Sequence, residues 1–315
     1  MMSLAVDPSC NSPGSYVSSS ENSTTSTLDS ITVKHFFENG RRYHGFRHGR
    51  YLLPNDKAEQ DRLDLLHHVF KTVFTTTPIA PLHTLSPLSR ILDLGTGTGR
   101  VAIELAYEFP SARVTGIDLS PIQPSWIPSN VDFEVDDLES PWTTAPGSID
   151  YIHARGLGGS IRDWPELLAQ IFTALRSGGC VEITEVVGTM MPLGAVGLEY
   201  ETLLTAAFAK SGRKYRVAEE LGELFVSAGF TRITERRVRM PVGTWPALPA
   251  MKELGKMWRE VVVAGLEAEA VAALTRYEGW TREEVEVLVG NLRSEVVERG
   301  SQRLGRVISF VAWKP

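Results

Sequence analysis

Asp93-Leu94-Gly95-Thr96-Gly97-Thr98-Gly99 decides how this chain is read. An apolar run (Ile91, Leu92) precedes it, and a run with helical spacing (Val101, Ile103, Leu105, Ala106) follows. That context is strand, glycine turn, helix start. Glycines there let the backbone approach a ligand, and the first helical N–H groups are free to bind it. A dinucleotide fingerprint would need its third glycine at position 100, where Arg100 stands, so a nicotinamide cofactor is not expected.

Outward from this turn the chain repeats a strand-helix rhythm. Expected strands are Arg90–Leu94, Arg113–Asp118, Val131–Val135, Ile149–His153 and Val181–Val186, with helices at Arg100–Phe109 and Trp164–Arg176. Pro110 closes the first helix, and Gly178-Gly179 read as stop signals for the second. Such alternation builds a mostly parallel sheet covered on both faces, with ligands at the carboxyl ends of its strands. After Val187 the pattern changes. Leu198–Lys210 and Val217–Ala228 read as helices and Thr231–Met240 as an Arg-rich strand. A helical block from about Pro249 to Arg299 contains a capping box at Thr281 and Glu284, and Val307–Trp313 reads as the last strand.

The N-terminal part divides differently. Residues 1–30 are rich in Ser and Thr and are read as a disordered tail. Residues 31–85 are expected to form a helical cap, 86–190 the cofactor-binding core, and 191–315 the C-terminal helices, a lid insertion and the last two strands. Asn39 to Tyr51 is dense in Arg, His, Gly and Tyr and reads as a loop. Asp56 and Glu59 stand at capping-box spacing before a helix carrying Leu63, Leu66, Phe70 and Val73.

Composition narrows the function. The 315 residues are 43% hydrophobic, enough for a sizeable core, and the net charge of −6 argues against a nucleic-acid partner. No run of 18 apolar residues occurs, so no membrane span is expected. The N-terminus has neither a basic nor an apolar signal region, and the two cysteines, Cys10 and Cys180, suit a reducing compartment. The cytoplasm is expected, with the nucleus as alternative, although Arg236-Arg237 does not extend into an import run. No metal site is expected. His44 and His48 are separated by Gly45, and His67 and His68 point to different sides of one helix.

Single residues can be assigned to the expected site. Asp118 ends the second strand, where a carboxylate can accept hydrogen bonds from ribose hydroxyls; the alternative is a helix cap through Ser120-Pro121. Leu119 stands beside it. After the third strand, Asp136 or Asp137 could hold an adenine amino group and Leu138 its ring face, or the run is an exposed turn. His153 and Glu185 end the fourth and fifth strands and are the candidate catalytic bases. The alternatives are a structural His153 and a Glu185 paired with Arg155 as ions. Tyr200 either faces a substrate or packs. Arg232, Arg236, Arg237 and Arg239 grip an anion or defend a sheet edge.

Asp93 with Gly95, Gly97 and Gly99 resembles the first motif of class I S-adenosylmethionine methyltransferases. Further segments are similar to the LaeA-like fungal methyltransferases. They are Asn39-Gly40-Arg41-Arg42-Tyr43-His44, the stretch from Tyr51 through Asp56 to Leu63, Ile117 to Trp126, and Gly159-Ser160-Ile161-Arg162-Asp163-Trp164. Gly243-Thr244-Trp245-Pro246 is a weaker match. The resemblance implies an α/β, Rossmann-like fold whose seven-stranded, mostly parallel sheet has its last strand antiparallel, with added helical cap and lid segments. It implies S-adenosyl-L-methionine as cofactor and a small-molecule fungal secondary metabolite as substrate, with O-methylation favoured. The alternative is a regulator of secondary metabolism with a protein partner; self-association is a further option. By the same resemblance Tyr43 and Tyr51 close over the cofactor, the alternative for each being aromatic packing of the cap helix, and Gln123 and Trp126 line its adenosine side. Gly156 and Ser301-Gln302-Arg303-Leu304 depart from the family pattern, which leaves the substrate open.

Overall fold

A computed structural model describes residues 35–74, 78–85, 87–298 and 302–315. The expected tail at 1–30 and the end of the helical block at Arg299 lie outside the described residues. Among the described residues, no helix is long and apolar enough to cross a membrane.

The first element corrects the loop expected from Asn39 to Tyr51. Strands β1 (His35–Glu38) and β2 (Arg41–His44) pair antiparallel. Asn39 and Gly40 form the turn, at φ 49° and 71°. Both central residues of a tight hairpin turn need positive φ, and Asn-Gly supplies them. Helix α1 (Lys57–Phe74) follows. Its capping box is half realised: Asp56 Oδ1 accepts from Glu59 N at 3.1 Å, but the Glu59 carboxylate turns to Arg62, 2.6 Å away.

Seven strands form the main sheet. In chain order they are β3 (Arg90–Leu94), β4 (Arg113–Asp118), β5 (Val131–Val135), β6 (Ile149–Arg155), β7 (Leu175–Met191), β8 (Thr231–Pro241) and β9 (Leu304–Trp313). The spatial order is β5-β4-β3-β6-β7-β9-β8. The first five are mutually parallel, while β9 is antiparallel to both β7 and β8. This is the expected Rossmann-like sheet. Its order reverses between β3 and β6, where a crevice opens at the strand ends.

Helices α2 (Arg100–Glu108) and α3 (Trp164–Ala174) cover opposite faces. Strand β7 is longer than the expected Val181–Val186, because Gly178 and Gly179 continue it. A side chain at Gly179 would meet the Asp150 carbonyl oxygen at 2.9 Å, so this glycine serves close backbone packing and not a helix stop. Strand β8 lies at the sheet edge and exposes most of its residues, in line with charge protecting an edge.

Helices α4 (Ala195–Lys210), α5 (Leu221–Ser227), α6 (Pro249–Tyr277) and α7 (Arg282–Val297) complete the chain. The long helical block is two helices, broken near Gly279 at φ 74° and restarted by the Thr281–Glu284 capping box. A separate apolar cluster joins α1, α4, α6 and α7, with Trp258, Val262 and Leu292 buried in it. About 25 cal/mol per Å² of buried apolar surface makes this second core an anchor for the layer over the crevice.

Candidate active site

The turn after β3 is built by its acid and by its glycines. Asp93 is 2% exposed; its Oδ2 accepts from Thr96 Oγ1 at 2.5 Å and its Oδ1 lies 2.7 Å from His153 Nδ1. Gly99 caps α2 at φ 77°, and a side chain there would meet the Phe133 ring at 2.5 Å. Only glycine fits both conditions. Arg100, which breaks the dinucleotide pattern, reaches Asp64 on α1 at 2.6 Å, and Thr98 Oγ1 donates to the same carboxylate at 2.8 Å. The turn is thereby tied to α1.

Two adjoining cavities meet at this turn. They share Tyr51, Leu63, Gly95, Gly97, Arg155 and Gly156. The cavity over β4 is lined by Asp118, Leu119, Asp136, Asp137 and Leu138. The cavity over β7 is lined by Asp93, His153 and Glu185. The chain thus brings together eleven of the fourteen expected residues. Gly99, Tyr43 and Gln123 stand outside the lining. Tyr43 is buried in the helical core under Arg276, which lies 5.0 Å above its ring. Gln123 braces the turn instead, donating to Gly97 O at 2.8 Å and Ser120 O at 2.9 Å. Trp126, also expected here, is 85% exposed and lines neither cavity.

On the β4 side, Asp118 accepts from Gly97 N at 2.9 Å and from Ser120 N at 2.8 Å. Burial pushes its carboxyl up to about 6, against these backbone donors. One oxygen of Asp137, Oδ2, is buried without a hydrogen bond, with Arg47 at 3.6 Å and Arg50 at 3.7 Å. A buried acceptor held at such distances is unsatisfied and suits an incoming donor group.

On the β7 side, Glu185 does not pair with Arg155. Its carboxylate accepts from Leu157 N at 2.6 Å and Gly158 N at 3.0 Å, clamping the loop after β6. Burial raises its carboxyl to about 7. Arg155 lies 3.2 Å from His67 Nδ1 and 5.1 Å from the Phe70 ring centre. Tyr200 packs, its hydroxyl donating to Leu266 O at 2.7 Å. The wall of the β7 cavity is completed by residues with no sequence signal: Phe208, Tyr215, Arg216, Trp258 and Glu269. Tyr215 donates to Glu269, and Arg216 Nη2 donates to the Tyr215 hydroxyl at 2.8 Å. Among the described residues no cluster of His, Cys, Asp and Glu could hold a metal ion.

Known proteins place the chain in a family. A methyltransferase domain family matches residues 52–235. Methyltransferase pytC of Aspergillus terreus is 41% identical, over 93% of this chain and 92% of its own. The secondary metabolism regulator LAE1 of Cochliobolus heterostrophus is 36% identical, over 89% of this chain and 95% of its own. Protein-methionine methyltransferase laeA of Emericella nidulans is 33% identical, over 88% of this chain and 76% of its own. The chain, with its glycine turn and Rossmann-like sheet, belongs to the class I S-adenosylmethionine-dependent methyltransferases.

Proposed function

We propose that the chain methylates a small molecule of fungal secondary metabolism, at oxygen, with the donor in the β4 cavity and the acceptor in the β7 cavity. The relatives' names, methyltransferase pytC and secondary metabolism regulator LAE1, support the setting. The buried free thiol of Cys180 suits the cytoplasm.

The residues present fit S-adenosylmethionine. Asp118 keeps lone pairs for two ribose hydroxyls after accepting one backbone N–H on each oxygen. Asp137 Oδ2, at ion-pair distance from Arg47 and Arg50 but without a hydrogen bond, offers an acceptor for the adenine amino group, and Leu138 an apolar face. When bound, S-adenosylmethionine supplies an electrophilic methyl group on a sulfonium. Alignment and exclusion of water then lower the barrier most, by roughly 7–11 kcal/mol in favourable cases. Trp258, Val261 and Val262 of α6 supply apolar wall for that exclusion.

His153 carries the oxygen assignment. Its Nδ1 lies against Asp93 Oδ1, and an Nδ1–H donated to that carboxylate leaves Nε2 for the acceptor role. Nε2 has no hydrogen-bond partner among the described residues and takes the proton of an acceptor hydroxyl. Such a base contributes about 10²–10⁴ in rate. The single observation behind the reading is this Asp93–His153 pair in the wall of a cavity that adjoins the glycine turn.

Incubation with a deuterated-methyl donor and an extract of the source strain lacking this gene tests the reading. One small metabolite gaining a labelled methyl is expected. Label found only in protein would favour the second reading, a regulatory methyltransferase, which the names of LAE1 and laeA support.

A further inference from the structure

The segment Gly45–Arg50 between β2 and α1 is fastened from three sides. His44 joins its ends: Nδ1–H donates to Phe46 O at 2.6 Å, and Tyr51 N donates to Nε2 at 3.2 Å. From the segment, Arg47 and Arg50 reach Asp137 at 3.6 and 3.7 Å, and Arg50 reaches Glu139 at 3.8 Å. Arg50, Asp137 and Glu139 all line the β4 cavity, so the segment spans to its wall as a strap.

The third fastening comes from the C-terminal half. Arg213, between α4 and α5, is only 3% exposed. Its Nη2 donates to Arg50 O and, at 3.4 Å, to Gly49 O; its Nη1 donates to Ser211 O at 3.1 Å and its Nε to Ser160 O at 3.3 Å. Among the described residues no carboxylate forms an ion pair with it. Tyr277 at the end of α6 adds a side-chain hydrogen bond, and the charges of Arg162 and Glu139 also act on the guanidinium. A cation buried mainly among main-chain carbonyls is costly, and an apolar residue could fill a merely structural position more cheaply. Arg50 and Ser160 both line the β4 cavity, so one guanidinium fixes two of its walls to each other. The neighbouring Tyr215 and Arg216 line the β7 cavity, so the same short connection touches both compartments.

We propose that Arg213 is a positioning residue that latches the Gly45–Arg50 strap across the donor cavity and so controls escape of the bound nucleoside. The proposal rests on the donor-site reading above. The donor side is then released by breaking the hydrogen bonds of one side chain, to carbonyls and to Tyr277, without disturbing the sheet.

Limited trypsin digestion of the full chain, read by mass spectrometry, reports the strap directly, since trypsin cuts after Arg47 and Arg50. S-Adenosylhomocysteine should slow these two cuts by about tenfold or more while leaving other sites unchanged. In Arg213→Met the protection should vanish, and release of S-adenosylhomocysteine in stopped flow should speed by about tenfold. Arg213→Lys, which can reach a carbonyl but not three segments, should fall between. A merely structural Arg213 would lower the melting temperature and leave the cleavage pattern and release rate as in the parent. Binding by the parent without protection after Arg47 and Arg50 overturns the latch, even if no Arg213 variant folds. A folded Arg213→Met with the parental release rate also overturns it. No binding of S-adenosylhomocysteine by the parent overturns instead the donor site beneath it.

Discussion

Asp93 and His153 stand opposite each other on neighbouring parallel strands, with Oδ1 and Nδ1 2.7 Å apart. The Asp93 carboxylate also holds the Thr96 hydroxyl of the glycine turn. One acid therefore shapes the donor turn and sets the tautomer of the proposed base. His153→Ala should lower turnover by about 10²–10⁴ and leave S-adenosylhomocysteine affinity nearly unchanged. Steady-state rates and calorimetry separate the two, and parental turnover would make His153 structural.

Asp118→Ala should weaken S-adenosylhomocysteine binding by about 2–5 kcal/mol, because charged hydrogen bonds to the ribose are lost. The sign of its pH dependence follows from burial. The carboxyl is held up to about 6, and the ribose hydroxyls donate to the ionised form. Affinity should therefore fall as pH drops through about 6. Calorimetry across that range checks it, and a flat affinity would remove Asp118 from the ribose.

His44 is expected to make the strap acid-sensitive. It is 1% exposed, and burial lowers its pKa. It donates at Nδ1 and accepts at Nε2, which only the neutral ring can do. Its unfolded pKa is about 6.5, so its contribution is complete above that pH. It is lost as pH falls toward the lower folded value. His44→Gln should flatten this part of the stability profile; melting curves of the two proteins falling in parallel would refute it.

Gly99→Ala should destabilise the fold by about 2–4 kcal/mol, from the left-handed backbone and the clash with Phe133 together. The relevant values are φ 77° and 2.5 Å. Urea unfolding gives the measurement, and a loss below about 1 kcal/mol would contradict it.

The sheet was legible in the sequence because each core strand ends in a turn or breaker, and each covering helix repeats at one period. The β1–β2 hairpin was missed although Asn39-Gly40 names its turn, since its charged residues hide the strand pattern. Asp93, Asp118 and Asp137 could be placed because strand ends sit at fixed points of the fold. Tyr215, Arg216 and Glu269 could not, because they reach the β7 cavity from the α4–α5 connection and from α6. No local spacing encodes such a meeting. Tyr43 and Gln123 show the limit of resemblance: neither lines a cavity, one being packed in the helical core and one bracing the turn.

A crystal structure of the chain with S-adenosylhomocysteine tests the donor site most directly. The ribose hydroxyls should lie within hydrogen-bond reach of Asp118, with the chain of the ligand running over Gly95 and Gly97. A ligand bound elsewhere, or a ribose out of reach of Asp118, would contradict it.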